Sequence, residues 1–91
     1  MTSDETEYVE YLEGERRRFA WVMRHYGGKS AKEAEAAALD AYPYEAADNP
    51  YRGLVFHDEA WHWAMLQIHP GYYWIDHPEL ARPPEEYDAL D

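Results

Sequence analysis

The shortage of branched aliphatic side chains limits what this chain can fold into more than any other feature of its sequence. Leu, Ile, Val and Phe together supply only 13 of its 91 residues, and the formal net charge is −11. Low aliphatic content combined with high net charge is typical of disordered chains. Four Trp and nine Tyr offset the shortage, because each large ring buries roughly 150–250 Å² in a core. The sequence therefore predicts a folded domain with an aromatic-rich core.

The acidic composition also limits the choice of partner. Lys and Arg number 8 against 19 Asp and Glu. The electrostatic term that drives binding to nucleic acid phosphates is therefore repulsive, and so is the interaction with an anionic membrane surface. We expect no direct nucleic acid binding and no membrane association. A protein partner with a basic, partly apolar surface fits this charge better.

The chain has no cysteine, so neither a disulfide nor a thiolate metal site can form. Met1 is followed by the polar residues 2–5, which do not resemble the apolar segment of a secretion signal. No apolar run approaches the length needed to cross a bilayer. Together these features predict a cytoplasmic protein.

Helical periodicity is clearest in the first third of the chain. Apolar residues recur three or four positions apart, and Arg16 fills one position of the series. The apolar members are Val9, Leu12, Phe19, Met23 and Tyr26. Ser3 is a suitable N-cap, and the glycines at 27 and 28 favour a left-handed ending. The pattern predicts a first helix over 4–26.

A second helix is indicated by its start and stop signals. Ser30 and Glu33 have the spacing of a capping box, and Pro43 cannot continue a helix. The alanine-rich segment between them predicts a helix over 30–42. The Pro, Asn and Gly residues of 43–57 indicate a loop.

A third helix is predicted over 58–69, with Asp58 as its N-cap and Pro70-Gly71 after its end. One face, expected to pack against the first helix, carries Trp61, Met65 and Ile68. Because the opposite side is also apolar, this helix is expected to be the central and most buried element.

The last segment is expected to be a short helix or an acidic tail over 78–91, with Pro78 in its first turn. The sequence as a whole therefore predicts one all-α domain over 1–91. It has three main helices and a short C-terminal helix.

The histidines near the third helix suggest a possible metal or acid–base site. Glu59 and His62 have the Glu-x-x-His spacing found in di-iron carboxylate bundles, but those proteins need this motif twice and two further Glu residues. The His-Glu-x-x-His motif of zinc proteases is absent. We therefore expect structural histidines and no cofactor. A site built on Glu59, His62 and His69, with His57 as a further ligand, is the alternative.

No nucleophile or phosphate-binding loop is recognisable. The two serines, Ser3 and Ser30, both suit helix caps. Residues 27–30 read Gly-Gly-Lys-Ser but lack the spacing of a phosphate-binding loop. We expect that the protein is not an enzyme.

Aromatic residues that do not belong to the apolar stripe are candidates for partner binding. Trp21 lies on a different face of the first helix, near Arg17 and Arg18, and a ring among charges is typical of an interaction hot spot. If another segment of the chain folds over Trp21, its ring belongs to the core instead. A second candidate anchor is the run Tyr72, Tyr73 and Trp74.

Acidic residues concentrate at the two ends of the chain. Segments 4–15 and 76–91 each contain six, and the second includes Glu85 and Glu86. Together they favour a negative surface that contacts a basic protein, or that imitates a nucleic acid backbone. Ordinary solubility is the simpler explanation.

The leading functional hypothesis is a non-enzymatic protein-interaction module, such as an adaptor, an assembly factor or an inhibitor. Aromatic anchors would bind at the centre of its interface and carboxylates at the rim. The alternatives are the histidine–carboxylate site and a homodimer formed through the apolar stripe of the first helix.

Overall fold

Helices account for the regular secondary structure of this protein, as the sequence predicts. The computed structural model describes residues 2–46, 48–50, 52, 53, 56 and 59–90, and no strand occurs among them. In chain order the elements are α1 (Thr2–His25), α2 (Ala31–Ala41), α3 (Ala60–Ile68), α4 (Tyr73–Asp76), a 3₁₀ helix (Pro78–Leu80) and α5 (Glu85–Asp88). The fold class is therefore all-α.

The start of α1 differs from the prediction. The helix begins at Thr2 rather than at residue 4, so Ser3 lies within the helix and is not its N-cap. Its length of 24 residues corresponds to about 36 Å at 1.5 Å per residue. The long dimension of the whole molecule is 43 Å, so α1 runs along most of it.

The end of α1 follows the predicted glycine mechanism. Gly28 has a φ of 68°, which is the left-handed conformation that favours glycine. The N–H groups of Gly27 and Lys29 both donate to the Met23 carbonyl at 3.1 Å. A Cβ added to Gly27 would lie only 2.7 Å from that same oxygen, so the turn requires glycine there as well.

The predicted capping box opens α2. The Ser30 N–H donates to Glu33 Oε1 at 3.0 Å, and the Glu33 N–H donates to Ser30 Oγ at 3.1 Å. One face of the helix is made of small residues, of which Ala34 and Ala38 are buried. These small side chains let α2 approach α1 closely.

Arg16, the one charged residue in the apolar series of α1, binds the end of α2. Its Nε donates to the carbonyl of Tyr42 at 2.7 Å. Tyr42 is the C-cap of α2, where carbonyl groups lack helical partners and carry partial negative charge. The Tyr42 ring is fully buried and packs edge-on against Phe19 at 5.9 Å. Arg16 therefore ties the C-terminal end of α2 to α1.

The central element is α1, so the expectation that α3 takes this position is wrong. The expectation that α3 is the most buried helix is confirmed, because Gln67 is its one exposed residue. α1 packs against α2, α3 and α5. The buried members of its apolar stripe are Leu12, Phe19 and Met23. Because this stripe already forms the core, a dimer made through it would require the fold to open.

The third helix is shorter than predicted. It begins at Ala60, with Glu59 in the N-cap position and without a side-chain cap from that residue. Asp58, the predicted cap, lies outside the described residues. The predicted face does pack against the α1 region, because Trp61 is buried and lies edge-on to Tyr26 at 5.2 Å.

The loop after α2 is attached to the first turns of α1. Arg52 Nη1 donates to Glu5 Oε1 at 2.8 Å, and the guanidinium lies 3.9 Å from the centre of the Tyr8 ring. The Tyr44 hydroxyl also donates to the Glu5 carboxylate. These two hydrogen bonds, that from Tyr44 first, lower the pKa of Glu5 below its usual value.

The C-terminal segment differs from the single short helix or tail predicted over 78–91. It forms the 3₁₀ helix and α5, and the aromatic run before it forms α4, which was not predicted. Trp61 Nε1 donates to the carbonyl of Leu80 at 2.9 Å, and its ring contacts that of Tyr87 at 5.6 Å. The acidic segment is therefore docked on the core.

Large rings make up much of the core, as the shortage of aliphatic residues requires. The buried rings are Tyr8, Phe19, Tyr42, Trp61, Tyr73 and Tyr87. The prediction of an aromatic-rich core is thus confirmed.

The capping box gives the first testable prediction. Replacing Ser30 with Ala removes the acceptor of the Glu33 N–H and should lower the free energy of unfolding by about 1 kcal/mol. For a domain of this size the melting temperature should fall by roughly 4–8 °C. Ser30→Asp keeps an oxygen acceptor at the same position and should melt close to the wild type. Equal melting temperatures for wild type and Ser30→Ala would contradict the assignment.

Candidate functional site

An exposed apolar patch is formed by three of the four residues from Tyr72 to Ile75, at the start of α4. Tyr72, Trp74 and Ile75 expose 66%, 40% and 65% of their surfaces. Tyr73, between them, is buried. One helical turn thus directs one ring into the core and three large apolar side chains outward. We refer to Tyr72, Trp74 and Ile75 as the α4 patch.

The α4 patch is supported from beneath by a histidine. His62 Nδ1 and the Tyr73 hydroxyl are 2.9 Å apart and share a hydrogen bond. The His62 ring also lies 5.9 Å from that of Trp74. Trp74 in turn packs edge-on against Tyr73 at 5.2 Å and against Tyr72 at 5.5 Å. The orientation of the exposed rings is therefore fixed by contacts with α3.

Charged and histidine side chains surround the α4 patch. Asp76 and Glu79 are exposed beside it. His77 Nδ1 lies 3.6 Å from Glu79 Oε2, and the His77 ring is 4.5 Å from that of His69. The border of the patch is thus polar and mainly acidic, as in the rim of an interface.

The histidine–carboxylate site suggested by the sequence is not assembled in the described part of the chain. His62 shares its hydrogen bond with Tyr73, while His69 lies beside His77. Glu59 is exposed at the start of α3, and His57 lies outside the described residues. Across residues 2–46, 48–50, 52, 53, 56 and 59–90, no three His, Asp or Glu side chains converge as metal ligands would.

Trp21 occupies a position between core and surface. Its ring is stacked on His25 at 4.2 Å and meets the edge of Tyr87 at 6.3 Å. The ring lines an open groove of about 490 Å³. The other residues of this groove are His25, Tyr26, Pro84 and Glu86. The C-terminal segment therefore covers Trp21 in part and leaves a groove beside it, with Glu85 exposed nearby on α5.

Arg17 and Arg18 lie over a glycine in the middle of α1. An ideal Cβ on Gly14 would be 3.4 Å from Arg18 Nη1 and 3.8 Å from Arg17 Nη2. The missing side chain thus provides the space that both guanidinium groups occupy. Arg18 Nη1 also lies 3.8 Å from Glu15 Oε2.

Glu15 is the buried charged residue that the sequence analysis did not single out. It is 5% exposed. The Tyr11 hydroxyl and the backbone N–H of Ala60, the first residue of α3, lie close enough to its carboxylate to act on its pKa. The next N–H, that of Trp61, donates to the Tyr87 hydroxyl at 3.1 Å. Tyr87 therefore accepts a hydrogen bond from the first turn of α3, and Glu15 lies beside the start of that helix.

Burial dominates the electrostatics of Glu15. Desolvation raises the pKa of its carboxyl group, and the nearby Arg18 guanidinium and the Tyr11 and Ala60 hydrogen bonds only partly oppose this effect. Oε2 is buried and has no hydrogen-bond partner among the described residues. Burial likewise raises the pKa of Tyr87 to about 12 and also raises that of Tyr42, whose hydroxyl has no described partner either.

The buried carboxylate opens onto a cleft between α1, the start of α3 and α5. The cleft has a volume of about 270 Å³. Its lining residues are Tyr11, Glu15, Arg18, Glu59, Tyr87 and Asp88. We refer to it as the Glu15 cleft. Buried groups with perturbed pKa values that line a cleft are a common sign of a binding or reactive site.

Comparisons with protein-family models, with curated proteins and with solved structures find no match. None of the described helices combines the length and the apolar character needed to cross a bilayer. The class of protein is therefore defined by the fold and the surface features above: a small all-α domain with an acidic sequence and an exposed aromatic patch.

The raised pKa of Glu15 predicts how stability depends on pH. Glu15 binds its proton more tightly in the folded state than in the unfolded state, so protonation of Glu15 stabilises the fold. This stabilisation is complete below about pH 4.3, the ordinary pKa of a glutamate side chain. It is lost as the pH rises through the folded pKa. Glu15→Gln removes the charge but keeps an oxygen acceptor. At pH 7 it should raise the free energy of unfolding by roughly 1 kcal/mol.

The measurement is a series of chemical denaturation curves from pH 4 to pH 8. The advantage of Glu15→Gln should shrink toward pH 4, where the wild-type side chain is protonated. Glu35→Gln, at an exposed site on α2, makes the same change of charge and should show little pH-dependent gain. A Glu15→Gln variant that is less stable than wild type at pH 7 would contradict the assignment.

Proposed function

We propose that this protein is a non-enzymatic interaction module that binds the basic, partly apolar surface of a protein partner through the α4 patch. The observation that carries the proposal is the exposure of Tyr72, Trp74 and Ile75 side by side. In a chain so short of Leu, Ile, Val and Phe, three large apolar side chains left outside the core call for a functional explanation. Exposed apolar patches with a polar rim commonly mark interaction sites.

The support beneath the α4 patch favours binding over chance exposure. Tyr73 and His62 hold the turn on the core, and Trp74 packs edge-on against its neighbours. Binding through side chains that are already ordered costs less conformational entropy. Trp and Tyr are also the residues most often found as interface hot spots.

Charge indicates the kind of partner. The net charge of −11, together with exposed Asp76 and Glu79 at the border of the patch, favours a basic surface through steering and specificity. The Trp21 groove, with Glu86 in its lining and Glu85 nearby, is a second region suited to such a partner. The same charge argues against direct contact with nucleic acid or anionic membranes.

The absence of cysteine supports a place of action in the cytoplasm, where disulfides are rare. Adaptor, assembly factor and inhibitor all remain compatible with the proposal. A sharper version is an inhibitor whose carboxylates imitate a nucleic acid backbone. The α4 patch favours the apolar-anchored form, because mimicry of a backbone does not require exposed rings.

The proposal predicts that Trp74 is a hot spot. Trp74→Ala should weaken partner binding about 30-fold, the effect of losing roughly 2 kcal/mol. Immobilised wild-type and variant proteins are exposed to the same cell lysate, and the affinity for each retained protein is then measured directly. Leu39→Ala, which truncates an exposed apolar residue on α2, is the matched control and should bind as wild type does. Equal retention by Trp74→Ala would refute the role of the patch.

Salt dependence distinguishes the two forms of the proposal. An interaction anchored by Trp74 and its neighbours should lose little affinity between low and moderate ionic strength, because apolar contacts are not screened. Mimicry of a nucleic acid backbone should lose affinity steeply over the same range. The measurement is the dissociation constant of the captured partner at several salt concentrations. A steep loss of affinity with salt would contradict the apolar-anchored form and favour mimicry of a nucleic acid backbone.

A further inference from the structure

The Glu15 cleft contains an acceptor that the described residues leave unused. Glu15 is 5% exposed, and its Oε2 has no hydrogen-bond partner within the described part of the chain. The nearest cation is Arg18, whose Nη1 is 3.8 Å away. That distance is longer than a hydrogen bond. Leaving a buried charged acceptor unsatisfied is costly, so a donor supplied by a ligand would gain the full interaction.

The remaining residues of the Glu15 cleft determine the charge that it selects. Glu15, Glu59 and Asp88 contribute three carboxylates, against the single guanidinium of Arg18. A cleft with this excess of acid attracts cations and repels anions. The excess charge of the cleft is negative, as is the net charge of the whole chain. In the cleft, however, this charge lies in a concave site of about 270 Å³.

The chemistry of the lining favours an ammonium group over a guanidinium group. A guanidinium binds best where two acceptor oxygens face it side by side. Here Oε2 of Glu15 is the one buried oxygen among the described residues of the cleft that lacks a hydrogen-bond partner. An ammonium is a compact charge with three donors, and two of the residues that line the cleft, Tyr11 and Tyr87, are aromatic, the residue class that attracts cations.

We propose that the Glu15 cleft is a binding site for a primary ammonium group, with Glu15 Oε2 as its principal acceptor and Glu59 and Asp88 at its mouth. The group belongs either to a free amine or to a lysine side chain of another protein. This site is separate from the α4 patch and requires no contact there. Either proposal can therefore fail while the other holds.

The test is a titration of the intact protein with cadaverine, followed through the backbone amide resonances. Saturable shifts should be confined to the cleft and should include the amides of Glu15, Ala60 and Tyr87. Pentamethonium, in which trimethylammonium groups replace both ammonium groups of cadaverine, carries the same two charges without N–H donors, and at equal ionic strength it should produce no such shifts. Shifts of equal size with pentamethonium, or the lack of a saturable shift with both cadaverine and the lysine peptide described below, would overturn the proposal.

Variants then locate the acceptor. Glu15→Gln should weaken cadaverine binding by at least about tenfold, because it replaces a charged acceptor by a neutral one. Asp88→Asn, at an exposed position of α5, should weaken it less and serves as a second variant if Glu15→Gln does not fold. Glu35→Gln makes the same change of charge on α2 and should bind as wild type does. Unchanged affinity in both cleft variants would overturn the assignment.

A parallel titration with the peptide acetyl-Gly-Lys-Gly-amide identifies the source of the ammonium. Binding of both probes at the cleft indicates that the amine alone suffices, whereas binding of the peptide alone indicates a lysine presented by a polypeptide. Both results support the proposal. Neither result depends on Trp74, so a Trp74→Ala control should respond as wild type does.

Discussion

The capping of α3 by other helices is the interaction on which the arrangement of the molecule depends. The helix starts at Ala60 without a side-chain cap of its own, and its first N–H groups need acceptors in a buried position. Tyr87 from α5 accepts the hydrogen bond of the Trp61 N–H, and the carboxylate of Glu15 from α1 lies close to the Ala60 N–H. Three segments distant in sequence are thereby tied to one point, and α3 cannot shift along α1 without leaving buried donors unsatisfied.

This junction also determines where the exposed rings lie. Because α3 is fixed at its start, His62 in its first turn is fixed as well, and its hydrogen bond places the Tyr73 hydroxyl. Tyr73 then orients α4 and the neighbouring Trp74. The α4 patch is therefore connected to the Glu15 cleft through one short helix.

Local signals predicted the parts of the fold that depend on neighbouring residues. The capping box at Ser30 and the left-handed Gly28 lie where the sequence places them, because both depend on residues a few positions apart. Contacts between residues that are far apart in the sequence cannot be predicted from such local signals. Glu15 has the spacing of an apolar position between Leu12 and Phe19, but only the fold brings it to Ala60. The pairing of His62 with Tyr73 is likewise not visible in the sequence. For this reason α4 is not predicted, and a metal site stays open as the alternative to the structural histidines that the sequence favours.

The aromatic side chains that take the place of aliphatic ones in the core also form hydrogen bonds there. The Tyr73 and Tyr87 hydroxyls and the Trp61 indole N–H each form a hydrogen bond from within the core. Each of these rings therefore buries apolar surface and also satisfies a polar group that burial would otherwise leave unpaired. Such pairs have defined geometry, so they specify one arrangement more strictly than interchangeable aliphatic contacts do. A small domain with few aliphatic side chains can in this way hold both a buried carboxylate and an outward-facing patch in fixed positions.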